Sequence, residues 1–402
     1  MISAAHKLTG RIVKDKYNSI IFEMGDGRDI YLVGGYIRDA MRGMVSSDRD
    51  YIVSGNLKSF AIKVRTAIGG TLVQFRKDNT VRLALKGLTF DFSNPIGTLM
   101  EDLSKRDFTI NSVAWSPVSG LIDYYNGLED IENRKIRTLS EENMIADPLR
   151  MIRAYRFAAE LKGSIEEKTC EIINSFHGRM KEVSSERITL EVFHLLNSEY
   201  SSKYLKMALH DKVLNDILFL PFKMLENNIR DIYKLEKGTI GELSYKFKVL
   251  LNKIFTQNLT YKGLLCLEIL LRNKDLMLRE TGNIRLSNKI NRRIELAYKG
   301  IKEFQKGSVL LNRLFGIFMN SKEASVDLLI IKNRLDLFGK YDRFKKIWED
   351  GYLSSEEVVR ISNLATGPKL GEVIREVKKA QFEGKIKSKA QATNFVKRLQ
   401  AV

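Results

Sequence analysis

Tyr31-Leu-Val-Gly-Gly-Tyr-Ile-Arg-Asp39, followed by Asp48-Arg-Asp-Tyr-Ile-Val53, is the stretch whose reading decides this chain. An apolar run ending in two glycines, then a helix-compatible segment, predicts a strand, a tight turn and a helix start. Gly34 and Gly35 let backbone N–H groups approach a ligand where a Cβ would obstruct, and the helix start offers partial positive charge to phosphate. Arg38, one turn into that helix, can reach the same phosphates. Asp48 and Asp50 stand at i and i+2 of the next predicted strand, so both carboxylates project from one face. Two such groups repel unless a cation neutralises them, and hard oxygen ligands suit Mg²⁺. Taken separately, the glycines suit any strand-to-helix turn and the acids any exposed strand face. Together they describe a site for transferring a nucleotide.

Working outward, 402 residues predict two to four domains or subdomains. The hydrophobic content is 44%, no apolar run approaches the roughly 20 residues of a membrane span, and no secretory signal pattern is present. Cys170 and Cys266 are the two cysteines, each inside an apolar helical pattern. They read as buried thiols, and a reducing cytoplasm is the expected location.

The net charge of +18 is unevenly placed. Residues 1–150 carry 21 Lys+Arg against 19 Asp+Glu, whereas residues 151–402 carry 46 against 30. The second part suits a polyanion, with a solvated helical surface as the plainer reading. The chain also changes character near residue 145. Before it, β-like runs at 30–33, 50–53, 71–75, 81–85, 88–92, 112–115 and 136–138 alternate with helical patterns such as 58–68, predicting an α+β domain on one sheet. From Pro148 onward the periodicity is helical, and Pro221 is the one proline between Pro148 and Pro368.

Further motifs follow in order. Lys105-Arg-Asp-Phe-Thr-Ile-Asn111 sets Arg106 and Asp107 together, and Asp123-Tyr-Tyr-Asn-Gly-Leu-Glu-Asp130 is an Asp…Gly…Asp turn. Asp147-Pro-Leu-Arg-Met-Ile-Arg-Ala-Tyr-Arg-Phe157 reads as a capped helix, with Asp147 as N-cap and Pro148 at its first position. Arg150, Arg153 and Arg156 fall at i, i+3 and i+6, roughly on one face, and are expected to need anions nearby. Ser185-Glu-Arg-Ile188 completes the set. Asp91, in an apolar strand, reads either as a third carboxylate near the metals or as a satisfied buried aspartate. The four histidines form no ligand spacing.

With these motifs in this order, the chain resembles the class II tRNA nucleotidyltransferases and bacterial poly(A) polymerases. The resemblance covers about 160 residues, and beyond Glu191 only the helical, basic character agrees. It implies an α+β nucleotidyltransferase head with a DNA polymerase β-like mixed sheet, followed by an all-α neck, body and tail. The expected division is 1–145 head, 146–202 neck, 203–315 body and 316–402 tail. It implies that Asp48 and Asp50 are catalytic and hold Mg²⁺, and that Gly34, Gly35, Arg38, Arg106, Asp107, Asp147, Arg150, Arg153 and Arg156 bind nucleotide. Arg106 would meet phosphate and Asp107 a ribose hydroxyl. Asp147 and Arg150 would act as an amino-acid template, accepting from the exocyclic amine of cytosine or adenine and donating to the ring atoms beside it. Arg153 and Arg156 would hold the triphosphate or support the template. Lys105 stands where arginine is usual, and Ala146 where glutamate is frequent.

The activity implied is template-independent addition of cytidines to the tRNA 3′ end from CTP, with ATP as a further substrate if the whole CCA is built. Between Asp91 and Glu101 the chain is short, where CCA-adding and poly(A)-adding relatives have a longer flexible loop. That predicts a CC-adding protein, with a separate A-adding enzyme as partner. The alternatives are a poly(A) polymerase or A-adding enzyme of the same family, and a catalytically silent RNA-binding relative. A long basic tail would favour a poly(A) polymerase, and the basic stretch 378–389 is short and reads as helical.

Overall fold

The computed structural model describes residues 2–74, 80–272, 282–304 and 311–399. The chain divides into two units: residues 1–195 with 207–217, and residues 196–206 with 218–402.

The first unit opens with α1 (Ile2–Lys14) and α2 (Lys16–Glu23). Then come β1 (Ile30–Val33), α3 (Gly35–Met41), β2 (Asp48–Val53), α4 (Leu57–Ile68), β3 (Thr71–Gln74), β4 (Thr80–Leu85), β5 (Leu88–Ser93), α5 (Leu99–Ser104), β6 (Ala114–Ser116) and β7 (Gly120–Ile122). All seven strands join one mixed sheet in the order β3-β4-β5-β2-β1-β6-β7. β2 pairs parallel with β5, and the other neighbours are antiparallel.

The side-chain alternation of β2 sorts its residues between the faces of the sheet. Tyr51 and Val53 enter the larger core with Phe60, Phe90 and Phe92. Ile52 enters a smaller cluster with Val33, Leu103 and Ala114. Asp48 and Asp50 share the face of Ile52, at the end of the strand where Asp48 is exposed. Carboxylates and core are thus separated by one residue of register.

After the sheet come α6 (Gly127–Asn133), β8 (Lys135–Ile136), α7 (Glu141–Ala146), α8 (Leu149–Leu161), β9 (Ser164–Ile165), α9 (Glu167–Phe176) and α10 (Ser185–Asn197). Met151, Ile152, Ala154, Tyr155, Phe157, Ala158 and Ala159 of α8 are buried. Arg150, Arg153 and Arg156 take the remaining stripe.

The described residues of the second unit are helical apart from a two-stranded ribbon, Ile254–Thr256 with Leu259–Thr260, and connecting turns. In the helix Tyr261–Leu271 every residue from Lys262 onward is buried. Burying the Lys262 ammonium is tolerable because it donates to the Leu196 carbonyl at 3.1 Å and Ser201 Oγ at 3.1 Å, and meets Glu236 at 2.7 Å. Phe315, Phe318, Phe344 and Phe382 build one core, and Leu353, Val358, Leu370 and Val377 belong to another. Among the described residues, no helix is long and apolar enough to cross a membrane.

Several sequence expectations need correction. The run at 136–138 is not in the main sheet: Lys135–Ile136 pairs with Ser164–Ile165, and Thr138 bridges to Phe108. The strand expected at 112–115 begins at Ala114. Of the run 71–75, Phe75 lies outside the described residues. The sequence patterns point to no element before Ile30, yet two helices are there. β7 is also new, three half-buried residues too short to show alternation. Asp147 does not cap α8, whose N-cap is Pro148; Asp147 is instead the extended residue that ends α7. Stretch 378–389 is not one helix, because Pro368–Phe382 ends before Gly384 at φ +82°. Cys170 is half-buried and Cys266 buried, and both are free thiols.

Candidate active site

The turn between β1 and α3 is built for close approach. Gly34 has φ +76°, and a Cβ there would lie 3.0 Å from Arg106 Nη1 and 3.2 Å from Asp50 Oδ2. Any side chain would therefore disturb both a cation and a carboxylate of the site. Gly35 begins α3. One turn later Arg38 is fixed by Nη1–H donating to Asn111 Oδ1 at 2.7 Å and Nε–H to Asp39 at 3.0 Å, with its guanidinium 4.9 Å from the Phe157 ring centroid.

β2 pairs Asp50 with Val33 on one side and Asp91 on the other. Asp48 accepts from the Thr89 hydroxyl and from Ser47. Asp91 is clamped by Arg82, with Nε and Nη2 donating at 2.7 and 2.6 Å. Of the two earlier readings, the structure fits the satisfied aspartate, and Asp91 does not line the cavity described below. Burial pushes the Asp50 carboxyl up to about 6; Arg106 opposes the rise, while Asp91 and Asp48 add to it.

The remaining side chains come from the segment after α5 and from α8. Arg106 lies 3.6 Å from Asp102 and beside Gly34. Asp107 is buried, and its oxygens accept from Phe108 N at 2.8 Å, Asn111 Nδ2 at 2.9 Å, and Arg153 Nε and Nη2 at 3.0 and 2.7 Å. Burial alone would raise its carboxyl, but Arg153 and Asn111 outweigh it and hold it below the usual carboxylate value. Arg150 donates to the carbonyls of Arg106 at 2.9 Å and Lys105 at 2.7 Å. Asp147 accepts from Arg187 Nη2 at 2.8 Å.

Gly34, Gly35, Arg38, Asp48, Asp50, Arg106, Asp107, Asp147, Arg150, Arg153 and Arg156 all line one cavity of about 380 Å³. Reasoning from sequence missed several of its members. The anions that Arg153 and Arg156 require are supplied within the chain: Glu191 meets them at 2.8 and 2.9 Å, and Glu160 meets Arg156 at 3.2 Å. Glu191 is 7% exposed. Arg187 reaches Asp147, and its place in Ser185-Glu-Arg-Ile188 is the signal the sequence offers for it. Asn111 bridges Arg38 and Asp107, and Phe157 packs under Arg38, Arg153 and Arg156.

Among the described residues, no group of three or more His, Cys, Asp or Glu is arranged to hold a metal ion. The donor set is two carboxylates, one exposed and one burdened by burial and like charge. That suits a hard divalent cation completed by ligand oxygens from outside the chain. The Asp50 carboxyl lies above the ordinary 3.8, so the native state binds more protons than the unfolded chain between about pH 4 and 6, and stability falls as pH rises through that window. In metal-free protein, Asp50→Asn is therefore expected to stabilise at pH 7.5 by on the order of 1–2 kcal/mol and to gain little at pH 4.5. Thermal melts with chelator at both pH values check this, and an equal effect at the two would refute it.

Residues 89–137 match the model of the poly A polymerase head domain, and residues 164–222 that of a probable RNA and SrmB-binding site of polymerase A. The CC-adding tRNA nucleotidyltransferase of Geobacter sulfurreducens is 26% identical across 93% of both chains. That of Synechocystis is 32% identical over 188 residues, 46% of this chain and 45% of that protein, so here the match spans under half of the relative. The fold is similar to that of the Thermotoga maritima CCA-adding enzyme complexed with tRNA, with a TM-score of 0.76, 20% identity, and coverage of 98% of this chain and 97% of that one. Sheet, motif order and these matches agree: the chain is similar to the tRNA nucleotidyltransferases and poly A polymerases in fold and in sequence.

Proposed function

We propose that this chain adds cytidines to the 3′ end of tRNA from CTP, releasing pyrophosphate, and stops at CC. The observation that supports it best is the single cavity holding a carboxylate pair, a glycine turn and the Asp147/Arg150 pair. The 3′-hydroxyl oxygen attacks the α-phosphorus, the bond to pyrophosphate breaks, and Asp50 is the carboxylate we assign to receive the hydroxyl proton. Asp48 and Asp50 would hold Mg²⁺, which when bound would supply positive charge to the triphosphate. Backbone N–H groups at Gly34-Gly35, with Arg106, would receive phosphate oxygens. Asp107 already accepts four hydrogen bonds, so its part is to hold Arg153 and Asn111, and a ribose contact would be additional. Asp147 keeps a second oxygen for the exocyclic amine of cytosine, oriented by Arg187, and Arg150 keeps donor capacity beyond the two carbonyls it meets.

The CC-only reading is supported by the short connection from β5 to α5. Asn94 donates to the carbonyls of Val53 and Gly55, both at 2.9 Å, Ile96 N donates to Asp102 at 3.1 Å, and Thr98 caps α5. A segment of five residues tied at both ends is a poor device for re-aiming the template. ATP use, and a separate enzyme adding the terminal A, remain part of this proposal. So do the cytoplasmic location and the division into head, neck, body and tail. In that division the basic region after residue 150 would hold the tRNA acceptor stem and elbow through phosphates.

Transcripts ending at the discriminator base, at C and at CC test the proposal with labelled CTP and ATP. CMP should enter the first two, and AMP should not enter the third. Robust AMP addition to the CC-ended transcript would refute the CC-only reading, and no incorporation anywhere would refute transfer itself. The tRNA affinity should fall steeply with salt, by about 10³-fold or more between 50 and 200 mM.

A further inference from the structure

The residue between the two metal-site carboxylates is an arginine, and it points away from them. Arg49 is 4% exposed and lies on the core face of β2. Its Nη2 donates to Asp15 Oδ2 at 2.6 Å and its Nη1 to the Ser46 carbonyl at 3.4 Å. The guanidinium carbon lies 5.0, 5.4 and 5.7 Å from the ring centroids of Tyr36, Phe90 and Tyr17. A valine or isoleucine here would fill the core without desolvating a charge, so this arrangement is not one that stability alone would select.

Asp15 joins three elements. Its Oδ1 caps α2 by accepting from Tyr17 N at 3.0 Å and Asn18 N at 3.1 Å. Its Oδ2 accepts from Arg49 of β2 and from the Tyr36 hydroxyl of α3 at 3.1 Å. Tyr36 directly follows the Gly34-Gly35 turn and lines the cavity. Three residues on, the wholly buried Asn18 accepts from the Tyr51 hydroxyl at 2.6 Å and donates to the Ile12 carbonyl at 3.1 Å. Arg49 and Tyr51 alternate with Asp48 and Asp50 along one strand. The α1–α2 pair thus grips from behind the strand that presents the carboxylates in front.

We propose that Asp15 and Asn18 are positioning residues. Through Arg49, Tyr36 and Tyr51, they fix the height and spacing of Asp48 and Asp50 relative to the glycine turn, and thereby set divalent-cation affinity and turnover. This rests on the reading of Asp48 and Asp50 as the metal carboxylates. Directional polar contacts specify a position more tightly than apolar packing does. Groups that orient metal ligands typically change affinity or activity about 10- to 100-fold when removed.

Two variants test it. Asp15→Asn keeps one oxygen to cap α2 while replacing the Oδ2 acceptor shared by Arg49 and Tyr36 with an uncharged amide N–H₂. Tyr51→Phe removes only the hydroxyl facing Asn18. Mn²⁺ binding to the tRNA-free protein is followed by electron paramagnetic resonance, alongside kcat, the KM for CTP and tRNA affinity, at a temperature where melts show each variant folded. Mn²⁺ affinity should weaken and kcat should fall by about tenfold in each variant, with KM and tRNA affinity within about twofold. A lowered melting temperature with unchanged Mn²⁺ affinity and kcat would overturn the proposal, reducing the network to a structural one. If Asp15→Asn does not fold, Tyr51→Phe decides alone. Mn²⁺ affinity undiminished in Asp48→Ala would instead refute the carboxylate assignment, a failure separate from that of Asp15.

Discussion

Replacing Asp48 or Asp50 by alanine is expected to lower CMP incorporation by about 10³-fold or more while tRNA affinity changes by less than about twofold. The separation follows from where the residues stand. Both lie on the face of β2 that lines the cavity, whereas the excess positive charge belongs to the chain after residue 150. The two variants should differ in their side effects. Asp48 is exposed, so its loss removes a ligand and little else. Asp50 is half-buried, and its carboxyl is raised by burial with like charges beside it. Removing it relieves a native-state cost, so Asp50→Ala should melt no lower than Asp48→Ala in metal-free protein at pH 7.5. Single-turnover incorporation, filter binding and melts together check this. A double variant that still extends tRNA would refute the metal assignment.

The parts of this site that were readable in the sequence are those whose signal is local. Two glycines after an apolar run place the turn, and acids at i and i+2 of a strand share a face whatever the rest of the chain does. Arginines at 150, 153 and 156 likewise share a helix stripe. What remained hidden was the set of partners, because a counter-ion on another element leaves no periodicity near its mate. Arg49 finds Asp15 34 residues away, Arg153 finds Glu191 38 away, and Asp147 finds Arg187 40 away. The same blindness misassigned Asp147. Asp-Pro before an apolar helix is a strong local cap signal, but Glu141–Ala146 forms its own helix and leaves Asp147 extended at its end, with φ −138°. That detail matters chemically: a capping carboxylate would be spent on backbone N–H groups, whereas this one faces the cavity.

The second large effect is therefore expected at Asp147. With alanine there, CTP should lose its advantage over UTP by about 10- to 100-fold, more through poorer CTP use than through better UTP use. Cytosine presents an exocyclic amine that a carboxylate accepts, whereas uracil presents a carbonyl that would face it acceptor to acceptor, leaving both unpaired. Arg187→Ala supplies the internal comparison. Arg187 is the residue holding Asp147 Oδ2 at 2.8 Å and is itself about half exposed. Removing it leaves the acceptor in place but unoriented, so discrimination should fall by a smaller factor, on the order of threefold to tenfold. Competition between labelled CTP and UTP on a transcript ending at the discriminator base measures both. If Asp147→Ala leaves the ratio unchanged while lowering overall rate, the residue serves structure and the template must be sought elsewhere in the cavity. If Arg187→Ala costs as much as Asp147→Ala, the pair acts as one unit and the guanidinium belongs to the nucleotide-reading surface itself.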